Sequence, residues 1–251
     1  MITFRVMIWK FLTGSGEPTR GQIERQIKKV THPHGESVTR MGAVQQLAEW
    51  STPQSIAAVL KRFGIVASPA TLDLEEKQQV CDLLIELGLP IVEPVKRFLL
   101  EGVHVYWPAR ALQGVLPEEE FKQTMTEILA KLQQSYVRVA DQKRDLLRQM
   151  HGLEHSGLFE VVRGFLLDPS DDVRIAALEY LYSVPNAPHR SVILNAVFNE
   201  EQSQRFWLRF AELASEQDWK IPPSHRDALQ PHLPPDFYMT SHGELKQRPR
   251  K

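Results

Sequence analysis

Two histidines with the spacing of metal ligands stand in the middle of the chain, in the string His151-Gly152-Leu153-Glu154-His155. Histidines four residues apart on one continuous helix share a face and can bind one zinc ion, where the glutamate could act as a base in hydrolysis. The glycine in this string and the end of the preceding apolar pattern predict a turn instead. Since no third ligand can be identified, we predict solvated histidines and no metal site.

Other residues that could carry chemistry lack the partners they would need. His34-Gly35-Glu36 and His242-Gly243-Glu244 each place a histidine near a glutamate, but both fall in predicted turns near the ends of the chain. Cys81 stands beside Val80 on an apolar helical stripe, which indicates a buried thiol. No glycine-rich phosphate loop and no serine-histidine-aspartate motif is recognisable. The sequence therefore offers no catalytic residue, no metal and no cofactor, and favours a non-enzymatic protein while leaving an enzyme open.

The overall composition is typical of a soluble globular protein. The 251 residues are 42% hydrophobic and 24% charged, with a formal net charge of -1. A protein that binds a polyanion through bulk electrostatics normally carries a basic excess, so nucleic acid is an unlikely partner. The single cysteine excludes an intramolecular disulfide and fits a reducing, cytoplasmic location.

The N-terminal stretch Met1–Gly14 is apolar but short, and Arg5 and Lys10 interrupt it. We predict neither a membrane-spanning helix nor a secretory signal, and Met7 is an alternative start to Met1. One helical face of this stretch is apolar and predicts a helix that covers an end of the fold, with a membrane-surface or partner-docking helix as the alternative. That face consists of Phe4, Met7, Ile8, Phe11 and Leu12.

The clearest structural pattern runs from Leu158 to Val184, as two short amphipathic helices joined by the turn Asp168-Pro169-Ser170-Asp171. Apolar residues recur at helical spacing on both sides of the turn, so each helix has one stripe to bury. Ser170 is predicted to cap the second helix by accepting hydrogen bonds from its free amides. Everything else in the chain looks like a looser copy of this helix pair, with a turn at Pro53, a polar and proline-containing connection over 64–73, a helix end at Gly88 and a helix start after Pro117.

The run Asp172-Val173-Arg174, followed by Ala176, Ala177 and Leu181, resembles the HEAT repeat. A second copy carries Arg40, Gly42, Ala43 and Leu47 at the same internal spacing. The resemblance implies an all-α fold, a right-handed solenoid of stacked helix pairs similar to bacterial HEAT repeat domain-containing proteins and to the short repeats of bilin lyases. One core position then recurs every ~31 to 37 residues, at Leu47, Leu84, Leu116, Met150, Leu181 and Leu213.

These patterns predict three regions. Residues 1–35 are capping helices, 36–215 are an array of about five to six HEAT-like helix pairs, and 216–251 are a proline-rich C-terminal cap with a basic tail. Prolines from Pro222 onward exclude a long helix, and the tail after Leu245 is expected to be mobile. We expect four residues to pack across the last helices: Trp219, Leu233, Phe237 and Tyr238.

Cations recur in the second helices, as Lys61-Arg62-Phe63, as Lys96-Arg97-Phe98, and as Arg163 two residues before Phe165. In HEAT proteins these helices line the concave face, so the resemblance implies a row of cations in one groove. Such a row suits an acidic peptide or helix, because arginine can hold carboxylates bidentately. A solvated face with long stems over apolar surface is the alternative.

The leading function is therefore a non-enzymatic scaffold that presents a helical-repeat surface to a protein partner. The alternative is a HEAT-like accessory or lyase subunit that acts on a chromophore-bearing or other protein substrate. Nucleic-acid binding ranks third. The sequence carries no prediction of oligomeric state, and fold resemblance alone does not establish function.

Overall fold

The computed structural model describes residues 17–102, 104–134, 140–184, 189–198 and 202–249, and the side chains of 189–192 are left aside. The described residues are mostly α-helical, with two short β-strands near the C-terminus. The chain divides into two compact units, Met1–Pro117 and Glu118–Lys251. The predicted N-terminal helix with Phe4 and Leu12 lies outside the described residues.

The first unit contains six α-helices among its described residues. They are α1 (Arg20–Val30), α2 (Ser37–Trp50), α3 (Pro53–Leu60), α4 (Ala70–Leu87), α5 (Val92–Glu101) and α6 (Tyr106–Val115). Short 3-10 turns follow α3 at Lys61–Gly64 and precede α5 at Leu89–Ile91. Helix α4 begins at Ala70, inside the stretch 64–73 that the polar and proline-containing sequence predicted as a connection.

Local sequence explains where these helices begin. Thr19 and Gln22 form a reciprocal capping box at the start of α1, and Thr52 and Ser55 do the same for α3, which also starts with Pro53. Such boxes satisfy amides that have no partner within the helix, and a proline at the first position costs no hydrogen bond. Both helices are therefore fixed at their N-termini by their own residues.

Helices of the first unit form two layers in alternation. Helix α3 contacts α1 and α5, whereas α4 contacts α2 and α6. Consecutive helices therefore lie in opposite layers, and helices two apart lie side by side. The apolar stripes meet between the layers in side chains without solvent exposure, which include Val44, Leu47, Ile56, Val59, Leu84, Val95, Leu99 and Leu112.

The second unit repeats this alternation among its described residues. Its helices are α7 (Glu118–Gln134), α8 (Ala140–Gln149), α9 (Ser156–Gly164), α10 (Asp171–Ser183), α11 (His189–Val197), α12 (Gln204–Glu216) and α13 (Pro223–Leu229). Helix α7 contacts α9, while α10 contacts α8 and α12. The 3-10 turn Phe165–Leu167 joins α9 to the segment before α10 and packs on α10 and α11.

The turn before α10 differs from the prediction in one detail. Ser170 is the residue before the helix, but its side chain makes no capping hydrogen bond. Arg174 holds the turn instead, since its Nη1 donates to the Asp168 carbonyl at 2.9 Å and its Nη2 to Asp171 at 3.0 Å. Arg40, the equivalent residue of the earlier copy, likewise donates to the carbonyls of His32 and Gly35 before α2.

The C-terminal segment forms a small sheet that the all-α prediction missed. Strands β1 (Phe237–Met239) and β2 (Leu245–Gln247) pair in antiparallel fashion. Ordered pairing of Leu245–Gln247 corrects the expectation of a mobile tail over these residues. Gly243 turns the chain with φ of +88°, where a Cβ would meet the Ile221 carbonyl oxygen at 2.5 Å.

Two of the four expected cap residues are buried. Trp219 is 2% exposed and contacts the rings of Tyr182 and Phe210 at centroid distances of 5.0 and 5.6 Å. Phe237 is 4% exposed. Tyr238 keeps 40% of its surface exposed, and Leu233 is half-buried, so these two contribute less than predicted.

Candidate binding groove

A groove of about 410 Å³ lies on the surface of the first unit, between α3 and α5. Both helices belong to the same layer and contact each other beneath the groove. Because α3 is short and carries Ala57 on its exposed face, the two helices leave open space above their line of contact. We call this cleft the α3–α5 groove.

The floor of the α3–α5 groove is apolar. Ala57 and Leu60 line it from α3, and Pro94 and Phe98 line it from α5. Leu60 is fully buried, whereas Phe98 is half-buried and leaves part of its ring at the surface. Gly102 lies directly against this ring, since a Cβ there would come within 2.7 Å of Phe98. An apolar side chain of a ligand would therefore find apolar surface on both walls.

Charged side chains stand at the rim of the groove. Lys61 and Arg97 both line it and are both exposed, and neither has an ion-pair partner in the described part of the chain. Glu93 and Glu101 also line it, and Glu93 lies 3.6 Å from Lys96. The rim thus offers two available cations beside carboxylates, rather than a purely basic surface.

The structure brings together only part of the predicted row of cations. Lys61 and Arg97 share the groove, while Lys96 lies beside it in the pair with Glu93. Arg163 is on α9 in the second unit, where it pairs with Glu160 at 3.0 Å. The structure therefore places Lys61 and Arg97 at one groove, and it places Lys96 and Arg163 in ion pairs with acidic residues of their own helices.

Arg62 corrects the prediction, because its side chain is fully buried and cannot contact a partner on the surface. Its Nη2 lies 2.7 Å from Asp73, and its Nε donates to Glu76 at 2.9 Å. Both acids lie on α4, three residues apart. The 3-10 turn that follows α3 directs Arg62 inward, although Lys61 immediately before it is exposed.

Arg62 belongs to a buried ionic network that joins three parts of the first unit. Glu76 accepts from Arg40 at 2.9 Å (Nε) and 2.6 Å (Nη2), which forms a bidentate pair between α2 and α4. Lys77 donates to Asp73 at 2.7 Å. Each of these five side chains is at most 11% exposed, so the network ties α2 and the 3-10 turn after α3 to α4 through buried ion pairs.

The network also shifts the acidity of its carboxyls. Burial alone raises the pKa of Asp73, but hydrogen bonds from Lys77, the Ala67 amide and Arg62 outweigh it and lower the pKa to about 2. The pKa of Glu76 is lowered in the same way: burial opposes, while hydrogen bonds from Arg40, Ser37 and Arg62 prevail. Both groups are therefore charged at neutral pH and serve structure.

The other candidate chemical groups have structural surroundings. His151 lies in the turn after α8, and the His155 Nδ1 accepts from the Leu158 amide at 3.2 Å as the cap of α9. The two histidines therefore do not share a continuous helix. Cys81 is buried, and burial raises the pKa of its thiol to about 11. Within the described ranges, no three histidine, cysteine or acidic side chains are placed to hold a metal ion.

One further hydrogen-bonded set was not expected from the sequence. His225 contacts the Ser224 hydroxyl through Nδ1 and the Asn195 side chain through Nε2, both at 2.9 Å. Ser224 and Asn195 are exposed, and Ser224 immediately precedes His225 at the start of α13. These bonds tie α13 to α11 at the surface, outside the cleft of the first unit.

Comparison with known proteins adds no second line of evidence. The chain matches no protein-family model, no curated protein and no solved structure. In the portions of the chain that are described, no helix has both the length and the apolar character needed to cross a membrane.

Proposed function

We propose that this chain is a non-enzymatic interaction scaffold, and that the α3–α5 groove binds a segment of a protein partner. The observation that carries the proposal is the combination of an apolar floor with two cations at the rim, Lys61 and Arg97, which have no ion-pair partner among the described residues. Peptide segments are commonly held by an apolar anchor in a groove with a few charged contacts around it.

The architecture supports a scaffold of the solenoid type. In each unit, helices two apart in sequence lie side by side, as expected for stacked HEAT-like pairs. Arg40 and Arg174, aligned by the repeat pattern, both donate to carbonyls of the turn before their helix. We infer an all-α solenoid from these two features, in which α1, α3 and α5 form the layer that carries the groove.

The partner segment is expected to carry a carboxylate next to its apolar anchor. Lys61 and Arg97 would pair with it in a partly desolvated setting, where a charge-assisted hydrogen bond is stronger than on an open surface. Glu93 and Glu101 disfavour a segment that is acidic throughout. In place of the expected row of cations, the rim carries mixed charge, so binding depends on where the ligand places its carboxylate.

The experiment compares three forms of the protein as bait in cytoplasmic extract at low salt. The first is wild type, the second is Lys61→Glu with Arg97→Glu, and the control is Lys28→Glu with Arg110→Glu. The control reverses the same number of exposed charges on α1 and α6, away from the groove. A partner retained by wild type and control but lost by the groove variant supports the proposal. A partner retained equally by all three contradicts it.

A further inference from the structure

A second groove, of about 550 Å³, lies on the other side of α3, between α1 and α3. Ile23 and Ile27 of α1 line it, and both are half-buried. Arg20 at its edge is already paired with Glu24 at 2.8 Å. We call it the α1–α3 groove; the two isoleucines line it together with the Arg20–Glu24 pair and the exposed carboxylate of Glu17.

The two grooves share one row of side chains, two on α3 and one at the start of the 3-10 turn that follows it. Gln54, Ala57 and Lys61 line both grooves. These residues are three and four positions apart, so they continue one exposed face from the helix into the turn. The middle one carries only a methyl group, which makes the ridge between the grooves low at its centre. A single ligand can therefore cross α3 over Ala57 and reach both sides.

We propose that one amphipathic α-helix of the protein partner spans both grooves, with apolar residues seven positions apart and an acidic residue between them. This rests on the proposed function and specifies its ligand. Packed helices lie ~8–10 Å apart, so two grooves that flank one helix are separated by about that distance. Two residues seven apart on a helix are separated by ~10.5 Å along its axis and lie on the same face.

A helical ligand suits the polar groups that these grooves provide. An extended peptide would bring backbone amides and carbonyls that need hydrogen-bond partners. The ridge shared by the two grooves offers two polar side chains for them, Gln54 and Lys61. A helix satisfies its backbone internally and needs only side-chain contacts. On the ligand helix, an acidic residue four positions after the first apolar residue lies on the same face. It can pair with Lys61, the cation that lines both grooves.

The test uses a designed alanine-rich helical peptide of about 18 residues, long enough to be helical in water. It carries leucines seven positions apart and a glutamate four positions after the first leucine. A control peptide of identical composition has the second leucine moved by two positions, which places it on another face. Binding to the full chain is measured by fluorescence anisotropy with a label at the peptide terminus.

We expect the designed peptide to bind at least about tenfold more tightly than the control peptide, because loss of one buried leucine costs this much or more. The Ala57→Arg variant fills the ridge and should abolish the difference. Ile23→Asn changes only the α1–α3 groove and should weaken binding about tenfold. Val38→Asn is its control, since Val38 is an apolar residue 84% exposed on α2.

The outcomes separate this inference from the proposed function. Equal binding of both peptides, or no binding of either, overturns the spanning helix. Binding that Lys61→Glu with Arg97→Glu abolishes and Ile23→Asn leaves unchanged also overturns it, because the ligand then occupies only the α3–α5 groove. In that case the proposed function stands. Loss with Ile23→Asn and retention with Val38→Asn support the inference.

Discussion

Replacing Glu76 by glutamine removes the carboxylate that Arg40 and Arg62 share in the core of the first unit. Glu76 is 1% exposed and accepts two hydrogen bonds from Arg40 and one from Arg62, at 2.6 to 2.9 Å. The glutamine keeps the shape and one acceptor oxygen, which can take the place of Oε2 and still accept from the Nε atoms of Arg40 and Arg62. The Nη2 of Arg40 then faces an NH₂ group instead of Oε1, and both buried arginines lose the negative charge that Glu76 carries.

These contacts set the size of the loss in unfolding free energy that Glu76→Gln causes. Hydrogen bonds to charged groups contribute about 1.5–3 kcal/mol each, and removing one partner of a buried ion pair costs about 3–5 kcal/mol. We therefore expect Glu76→Gln to lower the free energy of unfolding of the first unit by about 3–5 kcal/mol. This is a large share of the ~5–15 kcal/mol that stabilises a typical domain.

Hydrogen exchange followed by mass spectrometry measures this loss, because it resolves peptides from α2 and α4. Glu75→Gln is the matched control, since Glu75 is the exposed neighbour on the same helix. The control should change the free energy of opening by no more than about 0.5 kcal/mol. A Glu76→Gln effect under about 1 kcal/mol, or one equal to the control, would refute the account of a network that holds these helices together.

Three other perturbations follow from single contacts. The pKa of Asp73 is about 2 in the fold, below its ordinary value of 3.8. Its contribution to the free energy of unfolding, ~2 kcal/mol, is therefore complete above pH ~4 and is lost as the pH falls toward 2. Urea titrations at stepped pH should show that the free energy of unfolding falls less steeply with acidification in Asp73→Asn than in wild type. Gly243→Ala should lower the free energy of unfolding at least twice as much as Gly152→Ala, for which we expect a loss of about 1 kcal/mol. Both glycines have a positive φ, but of these two only Gly243 has other atoms close to where a Cβ would lie. Equal shifts of the melting temperature in the two variants would contradict this. Lys143→Met should destabilise the second unit by about 3 kcal/mol, because it removes the cation that pairs with the buried side chain of Asp168. The two side chains lie 2.9 Å apart and are at most 8% exposed. Amide hydrogen-exchange rates of α8 and α10 that equal those of wild type would count against this prediction.

Helix positions in this chain were largely predictable, because the apolar stripes have helical spacing and the turns carry their own signals. Pro53, Gly88 and Pro117 stand at boundaries that the structure confirms. The start of α4 was missed, since Pro69 and the polar residues after it resemble a connection. The hairpin of Phe237–Met239 with Leu245–Gln247 was missed because three-residue strands give almost no alternation to detect.

The burial of Arg62 was hidden from sequence reasoning by its resemblance to Arg97. Both follow a lysine and precede a phenylalanine, but only Arg62 falls in a 3-10 turn that directs it inward. A signal was available on the partner helix. Asp73, Glu76 and Lys77 continue the stripe of Val80 and Leu84 at spacings of three and four. Charges on an apolar stripe need buried partners, which predicts a buried cation nearby.

The candidate groove itself depended on tertiary packing. Lys61 and Arg97 were selected from a recurring pattern, but their common cleft exists because α3 and α5 pack side by side with Ala57 at the surface. Glu93 and Glu101 were not considered, although they lie four residues before and after Arg97 on the same helix face. The mixed charge of the rim could have been expected from that spacing.

Site-specific photo-crosslinking in cells tests the central claim most directly. A benzophenone amino acid replaces Glu101, an exposed residue of the α3–α5 groove that is not one of the proposed binding cations, in one form, and replaces Arg110, which is exposed on α6, in the other. We predict a discrete crosslinked protein from position 101 that is absent from position 110. Identical products from both positions, or no product from position 101, would contradict the claim that this groove binds a protein partner.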